Sequence, residues 1–389
     1  MSNTNILRRG DRLEYLAMGV FQGQGYLVRR KVPLKYGLGG QDATDVDVLG
    51  IKFTKPFQPQ CIICDCKERQ RTKPYERIFW AKGLSSFVNA LEVYVALPKA
   101  SWEIINFARL GQVHILTYEV LQDSFVKTYG KDGKAYGLAN QFFYEPLYQR
   151  MLQVCKKHKK VGDILFQART LYLVTNPYVS LNIALPHLKA SANMLRRVEN
   201  ISRDIFELWR FITADLIVAI SLMLLYIASD TIGFSKTERQ RHIIERLTYG
   251  DVSPKKAREI FSLAKELALE WAKTLSPGTS HQSFLPLDIG DIEPPSYAPN
   301  VAGLVERAIA SPSLYHELPQ LLDFLLFEQS LQNKAFSDDE YRHTFPSTMQ
   351  DERLKVARNI FAFVRDAVGL DLKVFWPKEE NNLPKKKLS

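Results

Sequence analysis

The sequence predicts an α/β domain built on a mixed β-sheet, followed by a mainly α-helical region. Three observations predict it. The first ~125 residues alternate segments of helical period with segments of period two. From about residue 126 onward the apolar spacing is mostly helical. The chain has 389 residues, too many for one comfortable core, and a content of 46% hydrophobic and 11% aromatic residues is that of a globular protein.

Taken in order, "GDRLEYLAMGVFQGQGY" sets Leu13, Leu16, Ala17 and Val20 on one helical face, with Asp11 near the start and Gly23 and Gly25 to stop it. "YLVRRKVPL" reads as a strand. After the glycine-rich "YGLGGQDAT" come two more strands, "DVDVLGIKF" and "CIICDCK", joined by "KPFQPQ". A polar, basic loop leads to a helix around "YERIFWAKGLSSFVNAL". "EVYVALP" is a short strand, "SWEIINFARLG" a helix closed by Gly111, and "QVHILTYEVL" a last strand in which His114 is expected in the core. The order α-β-β-β-α-β-α-β is a three-layer α/β pattern with a mixed sheet.

The boundaries that follow are 1–125 for this domain, 126–275 for a mainly helical domain, 276–300 for a connector rich in Pro, Gly and Ser, 301–376 for a helical C-terminal segment and 377–389 for a charged tail expected to be disordered. Ser235 and Glu238 form a capping box, with the helix stopping at Gly250, and Ser253 with Pro254 opens the next helix. "FITADLIVAISLMLLYIASD" requires a membrane check. Its apolar run, Leu216 to Ala228, is 13 residues between Asp215 and Asp230. A span needs about 20, so a buried central helix is expected.

The charge is 52 basic against 42 acidic residues, a net of +10, which favours a polyanionic partner. No phosphate-binding loop with a Gly-Lys-Ser/Thr element is present, which excludes that class of nucleotide hydrolase. The start has no apolar signal-peptide core and four cysteines make no disulfide framework, so a reducing cytoplasm is the expected compartment. Three of the cysteines crowd into "CIICDC". Cys61 and Cys64 could join Cys155 and His158 around zinc, but side chains alternate along a strand, so Cys61 and Cys64 point to opposite faces. Buried packing is the expected role.

The same alternation puts Asp65 and Lys67 on one face, about 7 Å apart by the usual rise of a strand. Asp45 and Asp47 share a face of the preceding strand, and antiparallel pairing sets Asp47 beside Asp65. Glu14 lies at the edge of the first helix's apolar stripe, within reach of the sheet. Carboxylates gathered at one place repel, an arrangement that a divalent cation relieves. Mg2+ takes oxygen ligands and keeps waters, polarises a phosphoryl oxygen and makes hydroxide at neutral pH. Lys67 would steady the charge building on the phosphate.

A helical Glu, an Asp on one strand and Asp-x-Lys on the next is an order that resembles the PD-(D/E)XK nuclease superfamily. With "ALEVYVALPKASWEIINFARLGQVHILTYEVL" downstream, it is most similar to the Mrr-type branch, over residues 7–125. The resemblance implies a restriction-endonuclease-like fold and phosphodiester hydrolysis, with Glu14, Asp47, Asp65 and Lys67 as catalytic residues. It implies Mg2+, with Mn2+ as a substitute, held by Asp47, Asp65, the Cys66 carbonyl and Glu14. It also implies a homodimer, since duplex cleavage uses two sites. Val46 stands where the family often has proline. Asp45 competes with Asp47, which the apolar Val48 and Leu49 after it favour.

Directly after the site, Arg69, Arg71, Lys73 and Arg77 are placed to contact phosphates, each such contact making binding salt-dependent. Arg29, Arg30 and Lys31 form a second basic group near the other end of the sheet layer. The expected partner is DNA, with RNA also open, in a setting of restriction or mobile-element processing. The rival expectation is a non-catalytic nucleic-acid-binding or assembly protein that keeps the fold as a scaffold.

Overall fold

The computed structural model describes residues 11–35, 42–67, 73–197, 201–275 and 293–376. The first part of the chain runs α1 (Asp11–Gly23), β1 (Leu27–Lys35), β2 (Asp42–Thr54), β3 (Gln58–Cys66), α2 (Pro74–Phe87), β4 (Glu92–Leu97), α3 (Trp102–Leu110) and β5 (Val113–Thr117). The five strands lie side by side in sequence order. β1, β2 and β3 pair antiparallel, while β3, β4 and β5 pair parallel, so the sheet is mixed. α2 and α3 supply the crossovers that parallel neighbours require.

Period two accounts for the strands. In β3, Ile62, Ile63, Cys64 and Cys66 are all buried, so the strand is covered on both faces. Gly50, paired with Val28 on one side and Ile62 on the other, is the close-approach point of β2. A Cβ there would stand 2.7 Å from Ile62 Cγ1 and 3.3 Å from Tyr26 Cδ1. Gly50→Ala is therefore expected to destabilise the fold by about 1–3 kcal/mol, the usual result of overpacking, measurable by urea denaturation.

The segment expected as one strand from Gln112 to Leu121 divides. The strand stops at Thr117, whose hydroxyl caps the next helix by accepting from the Val120 amide at 3.4 Å, and α4 (Tyr118–Tyr129) follows. Tyr118, Leu121, Phe125 and Tyr129 share one face of α4, which packs on α1. Helical spacing prevails once a capping Thr is available. His114, expected in the core, is exposed on β5.

The remainder is helical: α5 (Gln141–Lys157), α6 (Lys159–Thr170), α7 (Pro177–Leu195), α8 (Arg203–Thr231), α9 (Lys236–Tyr249), α10 (Pro254–Leu275), α11 (Ala298–Ala310), α12 (Pro312–Tyr315), α13 (Leu318–Asp323), a π-helical turn over Phe324–Ser330, α14 (Asp338–Thr344) and α15 (Gln350–Val368). The Ser235–Glu238 capping box and the stop at Gly250, φ +64°, are present. Ser253 Oγ accepts from the Lys256 amide at 3.3 Å. Residues 276–292 of the expected connector and the 377–389 tail lie outside the described residues. Among the described residues α8 is the one helix long and apolar enough to cross a membrane, and 94% of its apolar window is buried inside the protein by α5, α6, α7, α11 and α13.

The basic group on β1 is not a solvated cluster. Arg29 and Arg30 are each 1% exposed. Arg29 meets Asp215 of α8 at 3.1 Å, Asp323 of α13 at 2.8 Å and the Tyr172 hydroxyl at 2.7 Å. Arg30 meets Glu145 of α5 at 2.9 Å and Glu14 at 3.3 Å. Asp215 interrupts the apolar face of α8 because Arg29 stands opposite it. Buried charge must be compensated, and here β1 and the helices compensate one another.

Candidate active site at the end of the sheet

β2 and β3 run antiparallel with Val48 opposite Cys64, so the next pair in that register is Asp47 with Asp65. The Cys66 amide donates to Asp47 Oδ2 at 2.8 Å, and the Lys67 ammonium donates to the same oxygen at 2.8 Å. Lys67 Nζ also lies 3.4 Å from Asp65 Oδ1. Its own amide donates to the Ala96 carbonyl at 3.0 Å, which fixes the strand end against β4. Asp45, the competing acid, is exposed and lies outside this group.

α1 brings two more acids, since Asp11 and Glu14 are one turn apart and share a face. Both are buried. Lys31 Nζ donates to Asp11 at 2.9 Å and lies 3.8 Å from Glu14. Lys31 falls at the gap in the β1–β2 ladder between the Arg30–Val48 and Val32–Val46 pairs, with φ +53°. A side chain in that region costs on the order of 1 kcal/mol, and such residues gather at functional sites. Glu14, Asp47, Asp65 and Lys67 are thus brought to one end of the sheet, with Asp11 and Lys31 alongside.

Burial governs these acids, which stand among the cations Arg30, Lys31, Lys67 and Arg77. Burial raises Glu14 from the ordinary carboxylate value to about 7, against the lowering influence of Arg30 and Lys31, while Asp47 and Asp11 add to the rise. Glu14 Oε2 is buried and makes no hydrogen bond. Asp47 is also raised, by burial first and with Asp65 contributing, although Lys67 opposes it. Burial works against the Lys67 charge, but Asp47 and Asp65 outweigh it and hold its ammonium above the usual lysine value. Burial pushes Cys61 to about 12 and Cys66 well above its ordinary value, and Cys64 and Cys66 stand together with their sulfurs 3.7 Å apart.

Comparison of the chain with protein-family models, with curated proteins and with solved structures finds no match. The chemistry of the site therefore rests on its own geometry.

The basic residues expected to meet phosphate divide into three groups. Arg69 and Arg71 lie outside the described residues. Lys73 is exposed and pairs with Glu76 at 2.7 Å. Arg77 turns inward instead: its guanidinium grips both oxygens of Asp65, with Nε to Oδ2 at 2.8 Å, and lies 5.7 Å from the Trp80 ring centroid. Among the described residues no three His, Cys, Asp or Glu side chains stand together as a metal cage. Sequence reasoning missed Asp11, Lys31 and the inward turn of Arg77. The i, i+3 spacing of Asp11 and Glu14 was the available signal for the first. The other two depend on tertiary placement.

Proposed function

We propose that this chain is a Mg2+-dependent endonuclease that hydrolyses phosphodiester bonds of DNA on a three-layer, restriction-endonuclease-like N-terminal fold. The observation that carries this reading is Lys67 held between Asp47 and Asp65, on neighbouring strands, beside the buried carboxylate of Glu14. The donor types suit a hard dication: Glu14, Asp47 and Asp65 offer carboxylate oxygens, and Glu14 Oε2 has no hydrogen bond, only the charges of Arg30 at 3.3 Å and Lys31 at 3.8 Å near it. Glu14, Asp47, Asp65 and the Cys66 carbonyl would hold Mg2+, or Mn2+ in its place. When bound, the ion polarises a phosphoryl oxygen and favours hydroxide at neutral pH. Lys67, kept charged by its two acids and about a third exposed (34%), can stabilise the charge that develops on phosphate. Arg69, Arg71 and Lys73 would contact the DNA backbone. A cytoplasmic restriction or mobile-element role and a homodimeric assembly accompany this reading.

The test is nicking of supercoiled plasmid. The wild type is expected to nick with Mg2+ or Mn2+, and Asp47→Asn and Lys67→Ala to lose about 10²-fold or more while keeping their circular dichroism. Variants that cut like the wild type would sink the assignment.

One observation favours a second reading, a non-catalytic nucleic-acid-binding or assembly scaffold: Arg77 occupies both Asp65 oxygens, as a resident cation would. Calorimetry with Mn2+ separates the two. The nuclease reading expects Mn2+ binding that Asp47→Asn removes and Arg77→Gln strengthens. The scaffold reading expects DNA binding with no Mn2+ heat and no cutting.

A further inference from the structure

α2 and α3 present an outer face that nothing described in the chain covers. Tyr75, Phe79, Trp80 and Phe87 of α2, with Trp102 and Leu110 of α3, are between 45 and 86% exposed. The face is continuous, because Phe107 links the helices through ring contacts to Tyr75 at 4.9 Å and to Phe79 at 5.6 Å. At ~150–250 Å² per large side chain, these six offer on the order of 700 Å² of apolar surface. The largest apolar patch on a typical monomer is about 300–600 Å². One side of a standard stable interface is about 800 Å². Aromatic enrichment with few unpaired charges is also the composition of an interface core.

We infer that this face is where a second copy of the chain docks, with α2 crossing its counterpart near Gly83. Two observations select a copy of this chain over a nucleic acid. The face carries few free charges: Arg77 is held by Asp65, and Lys82 and Arg109 stand against Glu103. Two chains of net +10 approach each other best through a surface of this kind. A polyanion is drawn instead to unpaired cations. Gly83 supplies the second observation. It is exposed in the middle of α2, within the aromatic face, and a Cβ there would meet nothing within 4 Å. A glycine inside a helix costs about 1 kcal/mol relative to alanine. That cost has no return among the described residues of the single chain, but it lets a second helix approach closely. A two-fold axis at Gly83 sets each α2 on the other in a self-complementary contact.

The test reads molecular mass and stands apart from the assignment of the active site. Analytical ultracentrifugation of the full chain at micromolar concentration is expected to give twice the chain mass. Phe87→Glu should halve it by placing a charge in the contact. Gly83→Leu should also halve it, since the side chain has open space in the single chain and fills only the crossing. Thermal melts followed by circular dichroism check that both variants remain folded. A wild type that stays at the single-chain mass overturns the inference. In that case, tryptophan fluorescence protected from a soluble quencher assigns the cover to the chain's own residues. Fluorescence that is quenched freely leaves the face to a different protein. A dimer that persists in both variants overturns the inference as well.

Discussion

Arg29→Met is expected to lower the stability of the whole chain by about 3–5 kcal/mol, the usual loss when a buried ion pair is broken from one side. Methionine nearly matches the arginine stem in volume, so packing changes little and the charge effect dominates. Asp215 and Asp323 would then face each other in the interior with no cation between them, and the Tyr172 hydroxyl would lose a donor. Against a total stability of about 5–15 kcal/mol, that loss decides whether the chain folds at physiological temperature. Asp323→Asn should cost much less, because Asp215 remains to neutralise Arg29. Burial already holds Asp323 up at about 6, above the ordinary carboxylate value, with Arg29 opposing it. Lowering the pH from 7 to 5 should therefore rescue Arg29→Met in part, as the stranded Asp323 takes up a proton. Urea unfolding of the two variants at both pH values checks this, and equal losses for Arg29→Met and Asp323→Asn would contradict it.

Glu14→Gln is expected to act in the opposite direction on stability. The folded value for Glu14 is about 7, above the unfolded carboxylate value, because burial penalises its charge more than Arg30 and Lys31 relieve it. Between those two values the folded chain binds a proton that the unfolded chain does not, so stability falls as pH rises across that window. Glutamine carries no charge and escapes this loss. The variant should match the wild type near pH 4, gain as pH climbs through 5 and 6, and be more stable by about 2–3 kcal/mol at pH 8. Under the proposed function the same change should reduce cleavage by about 10²-fold or more, the familiar exchange of site chemistry for stability. Melting temperatures from pH 4 to 8 provide the measurement. A variant less stable than the wild type at pH 8 would show that Arg30 and Lys31 fully compensate Glu14.

The alternation in "CIICDCK" was enough to read β3, to set Cys61 and Cys64 on opposite faces and to bring Asp65 and Lys67 together. Alternation in "DVDVLG" with an antiparallel pairing then set Asp47 next to them. These are local patterns, and strands obey them. The fate of Arg29 and Arg30 was not legible, because nothing near them in sequence shows that Asp215, 186 residues later, supplies the counter-charge. The inward turn of Arg77 depends on how the loop before α2 returns to β3, a tertiary matter. Thr117 could have been read as a cap, but "VHILTYEVL" carries enough β-branched residues to extend the strand by propensity alone. The short apolar run between Asp215 and Asp230 marked α8 as a core helix, and its buried acid, Asp215, proved to be the point where the two regions join.

The strand β1 also bears on how separable the parts of this chain are. A fragment ending after α4 would carry two arginines whose partners, Glu145, Asp215 and Asp323, remain on the discarded piece. The discarded piece would keep three interior acids that have lost Arg29 and Arg30. The boundary visible in composition near residue 125 is therefore no seam in energy. A change that loosens the helical body is felt at β1, and through Arg30 at Glu14, one contact from the candidate catalytic lysine's acids. The chain's modular order in sequence conceals a single mechanical unit.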